Sequence, residues 1–132
     1  LGDLQKNAWI SQINILNEQL SPIDNGDIIF EYTIPRMGSI IDNVLLIDGL
    51  VFIIEFKVGE TEYKKADLDQ LENYIKILKN YHYESRNNIL IPILVATEAE
   101  TTNNQFELHE NNIFTTLKAN KENLYDIISK IC

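Results

Sequence analysis

Apolar residues along this chain follow a helical spacing in some stretches and an extended spacing in others. A helix is predicted over residues 3–20, where apolar side chains recur at helical spacing until Ser21-Pro22 ends the pattern. Its apolar stripe consists of Trp9, Ile13, Leu16 and Leu20. Residues 28–34 are rich in β-favouring side chains and predict a strand with one charge, Glu31.

The stretch over residues 40–59 reads as two apolar strands joined by Asp48-Gly49. This dipeptide suits the two positive-φ positions of a type I′ hairpin turn. A two-residue turn places Ile47 opposite Leu50, and this first pair fixes all the pairs beyond it. The further predicted pairs are Leu45 with Phe52, Val44 with Ile53, and Asp42 with Glu55.

A second amphipathic helix is predicted after a charged loop over residues 60–65. It begins near Asp67, which forms a capping-box pattern with Gln70. Its apolar stripe consists of Leu68, Leu71, Ile75 and Leu78.

The last part of the chain predicts two strands and a helix. The continuous apolar run over residues 89–96 is typical of a strand buried on both faces, and Pro92 inside it indicates an edge position or a bulge. Residues 112–117 predict a short strand, and residues 121–131 a final helix. The resulting order predicts a three-layer α/β domain in which helices flank a mixed sheet.

The predicted hairpin brings two acidic residues together. Directly opposed residues such as Asp42 and Glu55 share a face, with Cβ atoms roughly 4.5–5.5 Å apart, and Lys57 follows on the same face. Two carboxylates there repel each other and resist desolvation, and a divalent cation such as Mg²⁺ or Mn²⁺ removes the conflict. An ammonium group beside the cation can orient a water or stabilise charge on a phosphate. The alternative is a solvated Asp42 and an ion pair between Glu55 and Lys57 at the sheet edge.

Other polar residues are candidates for the same site. Glu31 lies within about one residue of the position opposite Asp42, and a one-residue change of register decides whether it shares that face. Gln70 and Tyr74 are four apart on the second helix, either as half-buried polar residues or as hydrogen-bonding partners of a nucleotide. Arg36 is a candidate phosphate contact or an ordinary surface residue of a turn.

Composition indicates one globular domain over residues 1–132, because 45% of the residues are hydrophobic and 23% are charged. The start at Leu1 indicates a fragment of a larger protein, and no apolar run is long enough for a membrane span. The one cysteine, Cys132, cannot form an internal disulfide, which favours a reducing, cytoplasmic setting. The two histidines, His82 and His109, make no zinc motif.

The formal net charge of −9 argues against strong nucleic-acid binding by this domain alone. Such affinity comes largely from neutralising phosphates with basic side chains. Nucleic-acid binding is compatible with this charge if another domain binds the nucleic acid, or if some of the acidic residues belong to a metal site.

The motifs resemble those of a known superfamily. The order αβββαβ, an acid in the second strand and Glu55-Phe56-Lys57 in the third resemble the PD-(D/E)XK nucleases. The segment from Gln70 to Tyr74, QLENY, resembles the Q-x-x-x-Y element of the RecB-type exonuclease branch. The stretch IPRMGSIIDNVLLIDGLVFIIEFKVG, followed by ILIPILVATEA, is similar to the amino-terminal domain of bacterial helicase-like ATPases, where it precedes a superfamily 1 helicase engine.

This resemblance implies a restriction-endonuclease-like fold and Mg²⁺- or Mn²⁺-dependent hydrolysis of DNA, with RNA as an alternative substrate. It implies Asp42, Glu55 and the backbone carbonyl of Phe56 as metal ligands. Lys57 would assist the attacking water. The implied supporting residues are Gln70 and Tyr74.

The resemblance also implies a further acidic residue on the first helix. Glu18 is the candidate on that helix, and Glu31 of the first strand is its rival. It implies a helicase or ATPase domain in the same full-length chain and a role in bacterial defence. The alternative function is a catalytically inactive, nuclease-derived module that binds DNA or docks on a protein.

Overall fold

The computed structural model describes residues 2–34, 38–81 and 87–132 of this chain. Three α-helices and five strands occur within these residues, with a short 3₁₀ turn at Glu110–Asn112. In chain order they are α1 (Asp3–Leu20), β1 (Asp27–Thr33), β2 (Ile40–Ile47), β3 (Leu50–Lys57), α2 (Lys65–Tyr81), β4 (Ile89–Ala96), β5 (Leu117–Ala119) and α3 (Leu124–Ser129). None of the helices in these ranges is long and apolar enough to cross a bilayer.

The five strands form one mixed sheet in the order β1-β2-β3-β4-β5. The first three strands are an antiparallel meander, whereas β4 runs parallel to both β3 and β5. The helix α2 connects β3 to β4, as a parallel pair requires. The predicted three-layer α/β architecture with a mixed sheet is confirmed.

The register of the β2–β3 hairpin is the predicted one. Ile47 pairs with Leu50, and the ladder continues through the predicted pairs to Asn43 and Ile54. Asp48 has φ 48° and Gly49 has φ 80°, the two positive values that a type I′ turn needs. A two-residue turn therefore sets the register of the strands that carry the acidic pair.

Two apolar layers cover the two faces of the sheet. The layer beneath α1 and α3 is centred on alternating residues of the middle strands, including Phe52, Ile54, Ile91 and Ile93. The layer beneath α2 takes the residues between them, including Ile53 and Leu94, and the helix residues Leu71, Tyr74, Ile75 and Leu78. The predicted apolar stripe of α2 is confirmed, with Leu68 at its half-buried margin.

The predicted apolar stripe of α1 is wrong in part. Besides Leu16, the buried residues of this helix are Gln12, Ile15 and Gln19, while Trp9, Ile13 and Leu20 are half-buried. Both glutamines are tolerated in the interior because each hydrogen-bonds a distant element. Gln12 Nε2 donates to Asn43 Oδ1 of β2 at 2.9 Å, and Gln19 Oε1 accepts from the Tyr125 backbone N–H of α3 at 2.9 Å.

Two predictions about the end of the chain need correction. The strand predicted over residues 112–117 is displaced to Leu117–Ala119, and Ile113 and Phe114 make isolated bridges instead. Pro92 lies in an interior strand, but β5 pairs with β4 only from Ile93 onward. The missing N–H of Pro92 therefore breaks no pair with β5.

Candidate active site

Asp42 and Glu55 meet where the regular ladder between β2 and β3 ends. Beyond the Asn43–Ile54 pair, side chains replace backbone acceptors. The Asp42 backbone N–H donates to Glu55 Oε1 at 2.8 Å, and the Phe56 backbone N–H donates to Asp42 Oδ2 at 2.9 Å. These reciprocal hydrogen bonds hold the two carboxyl groups beside each other.

The alternation of β2 breaks at the acidic pair. Ile41 and Val44 are three residues apart, yet both pack in the layer beneath α2. Asn43 instead meets Gln12 of α1, and Asp42 lines a cleft that α1 borders. Strict alternation predicts one shared face for Asp42, Glu55 and Lys57, whereas the observed strand turns Asp42 toward α1.

Burial makes this pair of acids expensive to ionise. Glu55 is 7% exposed, and burial, followed by the neighbouring Asp42 charge, raises the pKa of the Glu55 carboxyl to about 8. Burial also raises the pKa of Asp42, although the Phe56 N–H and the Lys57 charge oppose this. Within the described chain, Asp42 Oδ1 and Glu55 Oε2 accept no hydrogen bond, so each acid keeps one oxygen for another partner.

A lysine ammonium completes the cluster and is itself paired. Lys57 Nζ lies 3.6 Å from Asp67 Oδ1, at the first turn of α2. The positive charge of Lys57 partly offsets the raised pKa values of Asp42 and Glu55. The negative charge of Asp67 adds to the raised pKa of Glu55. Sequence reasoning gave Asp67 only a capping role. The sequence did contain a signal for the pairing with Lys57, because Asp67 lies in the first turn of the helix that follows the lysine-bearing strand.

Glu31 lies at the edge of this cluster. It falls between the pairs Phe30–Asn43 and Tyr32–Ile41, in the position facing Asp42, and has φ 54°. Its charge contributes to the raised pKa of Asp42, but its side chain is exposed. The left-handed backbone at Glu31 interrupts the regular pairing of β1 with β2 at this point.

Of the candidates that lie in the described residues, Gln70, Tyr74 and Glu18 form no hydrogen bond or ion pair with the acidic pair. Gln70 is exposed on α2, and Tyr74 is 8% exposed within the apolar layer beneath that helix. Within the described ranges, neither has a hydrogen bond to Asp42, Glu55 or Lys57. Glu18 is exposed on α1. The candidate Arg36 lies outside the described residues.

A cleft of about 340 Å³ opens beside the carboxyl of Asp42. One wall is the end of β3 and the segment after it, and the other wall is α1. The residues that line it are Asp42, Phe56, Lys57, Val58 and Glu60, together with Gln5, Ala8, Trp9 and Gln12 of α1. Sequence reasoning placed Trp9 in the core and missed this wall, although Gln5, Trp9 and Gln12 have the spacing of one helix face.

The donor atoms fit a magnesium or manganese ion that keeps part of its water shell. Within the described ranges, no group of three or more acidic, histidine or cysteine side chains is arranged to hold a metal. Mg²⁺ is commonly bound by one or two carboxylates, with water and substrate phosphate as its other ligands. The carboxyl groups of buried Glu55 and half-buried Asp42, each with one oxygen that accepts no hydrogen bond from the described residues, match that requirement.

Comparison with solved structures finds a repair endonuclease among the similar chains. No protein-family model matches the chain, and no curated protein matches it. The crystal structure of a repair endonuclease from Pyrococcus abyssi is similar to this chain, with a TM-score of 0.49 and 23% sequence identity. The match covers 67% of this chain and 37% of that chain, so the matched part spans little more than a third of the endonuclease.

Proposed function

We propose that this domain is a metal-dependent nuclease that hydrolyses phosphodiester bonds of DNA. The observation that carries the proposal is the pair of buried Glu55 and half-buried Asp42, fixed by reciprocal backbone hydrogen bonds beside the Lys57 ammonium. A purely structural role does not explain this arrangement, because apolar side chains in the same place would avoid the cost of burying two acids. A role in binding a cation does explain it.

Asp42 and Glu55 would hold Mg²⁺ or Mn²⁺ through their second oxygens, with the carbonyl of Phe56 as a further ligand. When bound, the ion supplies positive charge to the phosphate and lowers the pKa of a water. The two carboxyl groups contribute their fixed orientation, since each is anchored through its other oxygen. Glu31 adds negative charge at the margin of the same site.

Lys57 supplies a hydrogen-bond donor at the mouth of the cleft. Its side chain is 32% exposed, so its ammonium can meet substrate while its stem stays packed. In the proposed reaction it orients the attacking water or stabilises charge that develops on the phosphate oxygens. Asp67 Oδ1, 3.6 Å from Lys57 Nζ, restrains the ammonium.

The proposal places the domain in the PD-(D/E)XK superfamily, next to a helicase or ATPase domain in the full-length protein. The support is the sequence resemblance and the observed αβββαβ order. In this proposal, Tyr74 supports the site by packing α2 against the sheet. Gln70 is exposed, so it would contact substrate from the surface of α2. Arg36 would contact a phosphate.

A cleavage assay tests the proposal. The purified domain is incubated with single-stranded and supercoiled DNA, and with RNA, in Mn²⁺, Mg²⁺ or EDTA. We expect DNA cleavage that requires the metal and falls at least about a hundredfold in Asp42→Asn and Lys57→Ala, the scale at which one acid–base or charge-stabilising group acts. Asn at position 42 can still accept the Phe56 N–H, so the fold is retained.

Two exposed residues provide matched controls for these variants. Asp69 and Lys65 form an exposed ion pair on α2, with a distance of 2.8 Å between Lys65 Nζ and Asp69 Oδ2. Asp69→Asn and Lys65→Ala remove the same chemical groups outside the site and leave cleavage unchanged. Equal cleavage by Asp42→Asn and the wild type would overturn the proposal.

A second candidate is a nuclease-derived module without activity. The net charge of −9 and the lack of a three-residue metal cluster within the described residues favour it. Calorimetric titration with Mn²⁺ separates the two functions. The nuclease binds Mn²⁺ in the wild type and loses binding in Asp42→Asn, whereas an inactive module gives no difference between the two proteins.

A further inference from the structure

We propose that the cleft beside Asp42 and Lys57 receives an unpaired nucleotide whose base stacks on Trp9 of α1. The inference rests on the proposed nuclease function and narrows its substrate to a single-stranded nucleic acid or to a strand with an unstacked base. The shared chemistry is a planar base next to a phosphodiester, which DNA and RNA both offer.

The cleft-facing side of α1 is only partly used by the core, because Gln12 is buried against Asn43 whereas Gln5 is exposed. Gln5, Ala8, Trp9 and Gln12 lie at helical spacing on one face and line the cleft. A helix face that served only for packing would be apolar at these positions. Gln5 is exposed and has no hydrogen bond to the described residues, so its amide can serve a ligand.

Trp9 presents aromatic surface in the cleft that Asp42 also lines. Its ring is half-buried and meets Phe30 of β1 in a T-shaped contact, with centroids 6.2 Å apart and planes at 71°. Such a contact covers at most one face of either ring. Phe30 is itself 43% exposed. Aromatic side chains in nucleic-acid clefts stack on bases, and each stack strengthens binding about tenfold or more.

The size and charge of the cleft favour one nucleotide over a duplex. Its volume of about 340 Å³ falls in the range of sites for small organic ligands, roughly 300–1,000 Å³. Lys57, the cleft's lysine, already has Asp67 as its partner, and the chain has a net charge of −9. Duplex binding depends on many neutralised phosphates, and a duplex hides the faces of its bases. Recognition through a base face therefore fits an unpaired strand.

Trp9 is the one tryptophan of the chain, so its fluorescence reports on the cleft directly. The domain is titrated with a thymidine oligonucleotide, an abasic oligonucleotide of equal length, and a duplex, in EDTA and again in Mg²⁺. We expect the thymidine strand to quench Trp9 and to bind about tenfold more tightly than the abasic strand, which has the same phosphates but no bases. Comparison with a uridine oligonucleotide of equal length shows whether the cleft binds DNA or RNA more tightly.

Variants identify the ring that stacks. Affinities are measured by the anisotropy of a labelled thymidine strand, because substitution removes the fluorescence of Trp9. Trp9→Leu loses about tenfold in affinity, while Trp9→Phe keeps most of it, because Phe retains an aromatic face. Leu4→Ala changes an 86% exposed residue of the same helix and leaves affinity unchanged.

The inference is overturned if thymidine and abasic strands bind equally in both buffers, or if neither quenches Trp9. If Trp9→Leu fails to fold, the wild-type titration and the Trp9→Phe variant still test the inference. Its failure also differs from failure of the nuclease proposal. Base-dependent quenching without cleavage supports the binding site alone, and metal-dependent cleavage without base-dependent quenching supports the nuclease alone.

Discussion

The carboxyl group of Glu55 couples the stability of the metal-free protein to pH. Its pKa is about 8 in the folded protein, against 4.5 for an ordinary glutamate. Between these values the folded chain keeps a proton that the unfolded chain releases, so the free energy of unfolding falls as the pH rises from about 4.5 to about 8. At about 1.4 kcal/mol per unit of pKa, the loss is at most about 5 kcal/mol.

The substitution Glu55→Gln tests this coupling. Glutamine keeps an oxygen that accepts the Asp42 N–H but has no proton to lose. We expect the variant to be more stable than the wild type at pH 8 in EDTA, with a flatter pH dependence, in urea unfolding followed by circular dichroism. Glu18→Gln, at an exposed position of α1, serves as the control and keeps the wild-type slope. Identical slopes for Glu55→Gln and the wild type would refute the prediction.

At the scale of elements, the β2–β3 hairpin positions the acidic pair through its turn. Gly49 has φ 80° and nothing within 4 Å of the place where a Cβ would stand, so backbone strain alone opposes a side chain there. We expect Gly49→Ala to destabilise the protein by about 1–2 kcal/mol, the cost of left-handed backbone for a residue with a Cβ.

Gly49→Asn is the matched variant, because asparagine tolerates left-handed backbone and should recover part of the loss. Both proteins are compared with the wild type by urea denaturation. Equal stability of Gly49→Ala and the wild type would show that the turn does not need its positive φ.

At the scale of the whole molecule, the negative charge limits how the domain holds a nucleic acid. A protein that makes 6–10 phosphate contacts loses about 10³–10⁵ in affinity between about 50 and about 200 mM salt. With a net charge of −9 and Lys57 as the lysine of the cleft, we expect the affinity for a thymidine strand to change less than about tenfold over that range. Anisotropy titrations at several salt concentrations measure it. A thousandfold loss would instead indicate an extended phosphate-binding surface.

The sequence by itself determined the three-layer order, the apolar stripe of α2 and the register that places Asp42 beside Glu55. These features follow from local rules. Helical spacing fixes the buried face of α2, and the two-residue turn at Asp48-Gly49 fixes each pair of the hairpin.

Only the tertiary structure decided which other groups join the site. Gln12 is buried because β2 offers Asn43 as its partner, and Asp67 reaches Lys57 because α2 begins beside the end of β3. The break in the alternation of β2, which turns Asp42 toward Trp9, likewise depends on packing from both sides of the sheet. Contacts between residues far apart in the chain leave no periodic signal, so only the folded arrangement reveals them.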